Sequence, residues 1–265
     1  MFDAHTHLQD ARLAGCRDDV LRAAAAAGVA GLCACGTSPA DWDGVAALAA
    51  AASPVVIHPA FGVHPWFCDD LPADWLERLD ACLLAHPGAA VGEIGIDGLR
   101  RASDPLRQRR VFTAQVELAI RRRRTVIVHG ARCWGTLADL LQPYAARLPG
   151  LVLHAFAASE PLVKTFMAQG ASFSVGGALC NPAARRVRAA AVAIPLDRLL
   201  LETDAPDMLP CGGLTIASPP APPGLNQPAN LPLVARALAP LKGIDEAAVA
   251  AATAQHARRV YGVSD

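Results

Sequence analysis

Short apolar runs rich in Val, Ile and Leu recur along the chain, and longer segments rich in Ala and Leu separate them. Eight such runs are present: Phe2–Ala4, Val29–Ala34, Val55–Phe61, Ala89–Gly92, Thr125–Val128, Leu151–Leu153, Ala171–Val175 and Leu199–Leu201. Runs of strand length that alternate with segments of helix length are typical of βαβ units around a parallel sheet. The pattern therefore predicts eight parallel strands.

The separating segments have the length and composition of helices. They cover Asp18–Ala27, Ala40–Ala52, Ala73–His86, Pro105–Arg122, Trp134–Leu141, Glu160–Gln169, Pro182–Ala193, Pro228–Ala239 and Asp245–Tyr261. Ser103 and Asp104 followed by Pro105 predict an N-cap and first turn. Gly28, Gly150 and Gly170 each follow a helical segment, where a left-handed C-cap is expected.

Eight strand–helix units in one chain favour a closed (β/α)8 TIM barrel over an open doubly wound sheet. We expect a single domain over residues 1–265. No Gly-x-Gly-x-x-Gly follows the first strand, which disfavours a dinucleotide-binding fold.

The amino-acid composition is that of a globular protein with a large core. Hydrophobic residues make up 53% and charged residues 18%, which is ample for a large core. Lys plus Arg equals Asp plus Glu, 24 each, so no net charge attracts the chain to nucleic acid or membrane. The eight cysteines are scattered, and we expect them to be reduced; Cys33 and Cys35 would share one strand face.

The chain begins without the basic and apolar regions of a signal peptide. Its longest apolar stretch, around Ala23–Cys35, is shorter than the roughly 20 residues that span a bilayer. We therefore expect a soluble cytoplasmic protein, with a monomer as the default.

Polar residues of metal-binding type follow most of the predicted strands. These residues are His5 and His7 after the first strand, His64 after the third, Glu93 after the fourth, His129 after the fifth, His154 after the sixth, and Glu202 and Asp204 after the eighth. The carboxyl ends of the strands of a (β/α)8 barrel meet on one face, so these side chains should become neighbours.

The chemistry of this set points to metal ions. Because residues i and i+2 of an extended chain project to the same side, His5 and His7 can hold one ion together. Imidazole nitrogens with carboxylate oxygens suit Zn²⁺, Mn²⁺ or similar ions. Four histidines and two carboxylates exceed one tetrahedral shell, which favours two ions bridged by a carboxylate. We interpret the other histidines, His58, His86 and His256, as structural.

Several blocks of the chain resemble the signature motifs of one family, the TatD-type metal-dependent hydrolases. The blocks are His5-Thr6-His7, Gly62-Val63-His64-Pro65, Gly92-Glu93-Ile94-Gly95-Ile96-Asp97, Val128-His129, His154-Ala155-Phe156, Leu201-Glu202-Thr203-Asp204-Ala205-Pro206 and Asn226-Gln227-Pro228-Ala229-Asn230. They span essentially the whole chain in the family's order. The segment Glu202–Met208 is most similar to the YjjV-like branch.

This resemblance implies a TIM barrel that hydrolyses phosphodiester or other ester bonds with two or three Mg²⁺, Mn²⁺ or Zn²⁺ ions. Related proteins are described as deoxyribonucleases, some with 3′-to-5′ exonuclease activity, so DNA is the implied substrate. The resemblance also implies roles for individual residues: His5, His7 and Asp204 for one metal, Glu93 as bridge, His129 and His154 for the second metal, and His64 and Glu202 for substrate phosphate or a third ion.

The sequence departs from the family pattern at the rim of the predicted site. Gly130-Ala131-Arg132-Cys133 stands where the family often has Ser-Arg-Asp after the histidine, Gly98 replaces an aromatic residue, and Leu209–Pro228 is unusually rich in Pro. These differences bear on substrate preference rather than on hydrolysis. Arg132 is a candidate phosphate clamp, with a plain surface arginine as the equal alternative.

Two catalytic roles follow as hypotheses. Asp204 would orient a metal-activated water and accept its proton, while Glu93 would bridge the metals. The basic run Arg121–Arg124 closes a helix at the opposite end of the barrel, so we interpret it as helix-end charge rather than as a nucleic-acid site.

Two alternatives stay open at this point. One is a metal-dependent barrel hydrolase of a small-molecule ester, lactone or amide. Many such enzymes bridge their metals with a carboxylated lysine, but Lys164 and Lys242 both lie in helical segments. The other is a metal-binding or interaction protein without turnover, which a complete ligand set disfavours.

Overall fold

A computed structural model describes residues 1–99, 104–211 and 220–263. Eight parallel strands pair in chain order and form a closed barrel. They are β1 Phe2–Thr6, β2 Gly31–Cys35, β3 Val56–Phe61, β4 Ala90–Asp97, β5 Val126–Ala131, β6 Leu151–Leu153, β7 Ser172–Val175 and β8 Leu199–Leu201. Pairing of Asp3 in β1 with Leu201 in β8 closes the ring. The predicted (β/α)8 TIM barrel is confirmed.

Helices follow the strands on the outside of the barrel. In the described ranges they are α1 Arg17–Ala26, α2 Trp42–Ala50, α3 Trp75–Ala85, α4 Pro105–Arg122, α5 Trp134–Leu141, α6 Glu160–Ala168, α7 Arg185–Ala193, α8 Leu231–Lys242 and α9 Glu246–Tyr261. Their bounds differ from the predicted segments by a few residues at most. Segment length and composition therefore located the helices well.

The predicted helix ends are largely confirmed. The Asp104 carboxylate accepts a hydrogen bond from the Leu106 amide and caps α4. Gly28 and Gly170 have φ of +82° and +80°, as left-handed C-caps require. The prediction for Gly150 is wrong, because its φ is not positive. A Cβ at Gly150 would instead collide with the Thr125 hydroxyl, so close packing requires glycine there.

Small apolar side chains fill the barrel interior, including Ala4, Cys33, Cys35, Ala60 and Ala90. Cys33 and Cys35 are free thiols with their sulfur atoms 3.7 Å apart, as their shared strand face predicted. Helix α9 closes the amino-terminal end of the barrel, where the Tyr261 hydroxyl donates to the Ala4 carbonyl at 2.8 Å. The carboxyl-terminal end of the interior is thereby left for polar side chains.

The register of two strands shifts where the polar side chains enter. The pairing of β1 with β2 shifts between Asp3 and Thr6, and that of β4 with β5 between Val91 and Ile94. A register shift adds a residue to one strand and re-aims the side chains around it. The prediction that the fourth strand ends before Glu93 is therefore wrong, because β4 runs through Glu93 to Asp97.

The Pro-rich segment 209–228 is described only in part, since residues 212–219 lie outside the described ranges. Its far end is fixed to the barrel, because the Asn226 amide donates to the Thr203 carbonyl at 2.7 Å and the Met208 carbonyl at 3.2 Å. Within the described residues, no helix is both long enough and apolar enough to cross a membrane.

Candidate metal centre

A cavity of about 890 Å³ opens at the carboxyl-terminal end of the barrel. Six of the residues singled out in the sequence line it: His7, His64, Glu93, His129, His154 and Asp204. His5 lies directly beneath them and is fully buried. The structure therefore brings together side chains from β1, β4, β5 and the segments after β3, β6 and β8.

Glu93 lies at the centre of the cluster, and its two carboxylate oxygens face two different sets of histidines. Oε2 is 3.3 Å from Nε2 of His5 and 3.4 Å from Nε2 of His7. Oε1 is 3.0 Å from Nδ1 of His129 and 3.7 Å from Nε2 of His154. One carboxylate thus joins two groups of potential metal ligands.

Asp204 provides the second carboxylate. Its Oδ1 is 3.5 Å from Nε2 of His7, and its Oδ2 is 3.8 Å from Nε2 of His154. The Asp204 backbone is left-handed, with φ of +57°, which non-glycine residues rarely adopt. Its amide donates to the His5 carbonyl at 3.0 Å, so the strained residue is tied to β1.

Hydrogen bonds beneath the cluster orient two of the histidines. His7 Nδ1–H donates to the Cys35 carbonyl at 2.8 Å, and His154 Nδ1–H donates to Glu202 Oε2 at 2.9 Å. Both rings therefore direct Nε2 into the cavity, which is how metal-binding histidines are commonly held. Glu202 also accepts from the Ala155 amide and the Ser174 hydroxyl. The Glu202 carboxylate thus contacts His154, Ala155 and Ser174 rather than the open cavity.

His64 and Arg132 differ sharply in position. His64 Nε2 is 3.8 Å from Glu93 Oε1, and its Nδ1 accepts from the Trp66 amide at 3.2 Å. Burial lowers the pKa of His64 to about 3, so its ring is neutral and can act as a ligand. Arg132 is exposed and is not among the residues that line the cavity.

Charge in the cluster is balanced by histidine alone. The ion-pair partners of Glu93 and Asp204 in the described residues are all histidines. Burial alone would raise the pKa of both carboxyls, but the nearby histidines lower it. Burial would conversely lower the pKa of His154, but Glu202, Asp204 and Glu93 raise it to about 10.

This arrangement fits a bound dication. Two buried carboxylates draw protons onto the histidines around them, and a metal ion would displace those protons. Three groups place their ligand atoms within 4.8 Å of one another: His5 with His7 and Glu93, His64 with Glu93 and His129, and His5 with His154 and Glu202. Two of these groups share Glu93.

Sequence reasoning missed two carboxylates of the site. Asp97 Oδ2 accepts from Trp66 Nε1 at 2.7 Å and lies 3.2 Å from His129 Nε2. Its position at the carboxyl end of the same strand, four residues after Glu93, could have revealed it. Asp3 is fully buried and accepts from the Thr203 amide at 2.9 Å; burial raises its pKa to about 8. Asp3 thereby fixes the backbone beside Asp204, a role that only the tertiary structure shows.

A closed (β/α)8 barrel with a histidine–carboxylate cluster at its carboxyl-terminal end defines a metal-dependent hydrolase. The chain matches the family described as TatD related DNase over residues 2–262, and it belongs to that family. It is therefore a hydrolase that acts on ester bonds.

Named relatives resemble the chain over nearly its whole length. It is 32% identical to a protein of Escherichia coli K12 named "3′-5′ ssDNA/RNA exonuclease TatD", over 100% of both chains. It is 32% identical to the protein of the same name from Erwinia tasmaniensis, covering 99% of this chain and 100% of the relative. The crystal structure of YjjV, a TatD homologue from E. coli K12, is 30% identical and superposes with a TM-score of 0.88, covering 100% of this chain and 98% of that one.

Proposed function

We propose that this protein is a 3′-to-5′ exonuclease that acts on single-stranded DNA or RNA with two divalent metal ions. The observation that carries the proposal is the position of Glu93, whose two oxygens face separate groups of histidines. A bridging carboxylate between two ions is the arrangement that in-line phosphodiester hydrolysis uses.

We divide the ligands between the two ions by their distances to one another and to the two oxygens of Glu93. His5, His7 and Asp204 would hold the first ion, since their Nε2 and Oδ1 atoms lie within 3.8 Å of one another. His129 and His154 would hold the second, and Glu93 would bridge both. His64 would contact a substrate phosphate or a third ion.

When bound, the ions would lower the pKa of a water molecule and neutralise charge on the phosphoryl oxygens. Asp204 reaches the cavity with 15% of its side chain exposed, so it can orient that water and accept its proton. Glu202 holds the His154 ring and Asp97 faces His129, so neither histidine has to reorient during the reaction.

The substrate is inferred from the relatives, whose names specify single-stranded DNA and RNA. A hydrolase of a small-molecule ester, lactone or amide is not favoured. A carboxylated-lysine bridge does not fit, because Lys164 is exposed beside Glu160 and Lys242 donates to the Val192 carbonyl at 3.1 Å. Both contacts lie outside the cavity. A monomer and a cytoplasmic location stay predictions.

The test is a product-length assay on 5′-labelled oligonucleotides after chelation and reloading with Mg²⁺, Mn²⁺ or Zn²⁺. Single-stranded DNA, single-stranded RNA and a 3′-overhang duplex would be compared with p-nitrophenyl esters. We expect a ladder that shortens from the 3′ end and needs added metal. An Asp204→Ala control should give no ladder while keeping its circular dichroism spectrum. Turnover of the esters alone would contradict the proposal.

A further inference from the structure

Two aromatic side chains stand exposed on the wall of the metal cavity. Trp66 is 53% exposed and Phe67 is 45% exposed, and both line the cavity. The chain has 13 aromatic residues, four Trp, two Tyr and seven Phe. Each of the other eleven is buried or half-buried. The aromatic surface that this protein offers to solvent is therefore concentrated beside the candidate metal centre.

The Trp66 ring is held in place at its polar edge, while about half of the side chain stays exposed. Its Nε1–H donates to Asp97 Oδ2 at 2.7 Å. Its ring meets the His64 ring edge-to-face, with centroids 5.0 Å apart and planes at 88°. The hydrogen bond to Asp97 and the ring contact with His64 fix the indole, so little freedom is left to lose on binding. Such a preorganised apolar face costs little entropy to use.

The position of this face relative to the cluster suits a nucleotide. His64 lies between Trp66 and Glu93, with its Nε2 3.8 Å from Glu93 Oε1. A substrate whose phosphate lies at the cluster would therefore have Trp66 beside it, on the far side of the His64 ring from Glu93. A phosphodiester joined to a flat heteroaromatic base has that combination of charged and apolar parts. Base–aromatic stacking also tolerates every base, since each has a π-face.

We propose that Trp66, flanked by Phe67, is a stacking subsite for a nucleobase next to the scissile phosphate. This inference rests on the proposed nuclease function and adds the part of the substrate that the metal ions do not contact. It assigns Trp66 two separable features: the exposed part of the indole ring, which binds the base, and the indole N–H, which holds Asp97 against His129.

The experiment compares three proteins on two substrates. Wild type, Trp66→Ala and Trp66→Phe would be assayed with Mn²⁺ on a single-stranded oligonucleotide and on the same oligonucleotide with abasic tetrahydrofuran residues at its last two 3′ positions. Leu84→Ala serves as the matched control, because Leu84 is 56% exposed on α3 and does not line the cavity.

Loss of one stacked base should raise the KM of Trp66→Ala roughly 5- to 150-fold on the normal oligonucleotide. The same substitution should change the KM for the abasic oligonucleotide far less, because no base is left to stack. Trp66→Phe should keep most of the base-dependent affinity and lower kcat instead, since it keeps the ring and loses the donor to Asp97. Leu84→Ala should match wild type on both substrates.

Binding without turnover gives a second measurement. In EDTA, the normal oligonucleotide should quench the intrinsic tryptophan fluorescence of wild type, and the abasic one should quench it less. Trp66→Phe should lose that difference. If Trp66→Ala raised the KM for the normal and the abasic oligonucleotide equally, the stacking subsite would be refuted. Absence of any cleavage by wild type would instead refute the nuclease function, so the two failures are distinguishable.

Discussion

The two ends of the barrel both contain buried histidines, but those histidines have opposite surroundings. At the carboxyl-terminal end, His154 and His7 face Glu93 and Asp204, and their pKa values are raised. Near the amino-terminal end, His58 packs against Tyr261 with ring centroids 5.0 Å apart, and within the described residues no ion pair joins it to a carboxylate. Burial, followed by the charge of Arg124, lowers the pKa of His58 to about 4.

The difference shows that burial alone does not make a histidine functional. At His7 and His154 the nearby carboxylates outweigh burial, so each ring holds a proton that a dication can displace, whereas a histidine buried among apolar and basic groups stays neutral and serves packing. The comparison predicts that substitutions at one end abolish catalysis and that substitutions at the other end alter only stability.

The largest effect is expected at Glu93. Glu93→Gln keeps the volume but removes the charge that faces both histidine groups, so metal binding and turnover should fail together. We expect a loss in kcat of at least about 10²- to 10³-fold, measured on single-stranded DNA with saturating Mn²⁺. A variant with near wild-type activity would show that Glu93 does not bridge the ions. Circular dichroism would establish that the barrel remains folded.

A smaller loss is expected at Glu202, which contacts His154 rather than the cavity. Glu202→Gln should weaken metal binding or activity by about 10- to 100-fold, the usual cost of removing a group that orients a metal-binding histidine. Equilibrium dialysis with Mn²⁺ measures the affinity directly. Glu160→Gln, an exposed carboxylate on α6, is the control. A Glu202→Gln variant as inactive as Glu93→Gln would mean that Glu202 ligates metal itself.

At the amino-terminal end, His58 should affect the pH dependence of stability and leave catalysis unchanged. Its folded pKa of about 4 lies below the ordinary value of 6.5, so the unfolded chain binds the proton first as the pH falls. Stability is therefore complete above pH 6.5 and declines as the pH falls toward 4, by about 3 kcal/mol from this residue. His58→Phe should reduce that decline.

Urea unfolding of wild type and His58→Phe at pH 7 and pH 4.5 measures this effect, with kcat at pH 7 as the companion measurement. An unchanged acid sensitivity would show that His58 does not titrate between the two states. A loss of turnover in His58→Phe at pH 7 would show that the amino-terminal end of the barrel also affects catalysis.

The smallest effect is expected at the basic run that closes α4. Arg122 pairs with Asp80 at 2.5 Å and Arg124 donates to the Leu83 carbonyl at 3.0 Å, so both contact α3 far from the cavity. Arg121→Gln should change stability by less than about 0.5 kcal/mol and leave the KM for DNA unchanged. A rise in KM that disappears at high salt would instead show that nucleic acid contacts this end.

The sequence predicted the barrel and the gathering of the cluster because both depend on local patterns. Apolar runs gave the strands, and the convergence of strand ends brought His5, His129 and His154 together. The face of β4 from which the Glu93 side chain projects could not be predicted, because a register shift in β4 breaks the alternation of faces. Contacts between distant segments, such as Asp3 with Thr203, leave no periodic signal at all.

The role of individual rim residues was also beyond sequence reasoning. Arg132, a candidate phosphate clamp, does not line the cavity. Trp66 does line the cavity, and a hydrogen bond to Asp97 holds its ring there. Both residues follow strand ends, so position alone did not separate them. Only the direction of each side chain, set by packing, distinguishes an exposed arginine from a wall of the site.

In the proposed centre, Glu93 joins two metal ions in one cluster. Electron paramagnetic resonance of the chelated protein titrated with Mn²⁺ tests it most directly. We expect two ions to bind per chain and to give the exchange-coupled spectrum of carboxylate-bridged Mn²⁺, with the coupling lost in Glu93→Gln. Saturation at one ion per chain, or two ions with uncoupled spectra, would contradict a Glu93-bridged metal pair.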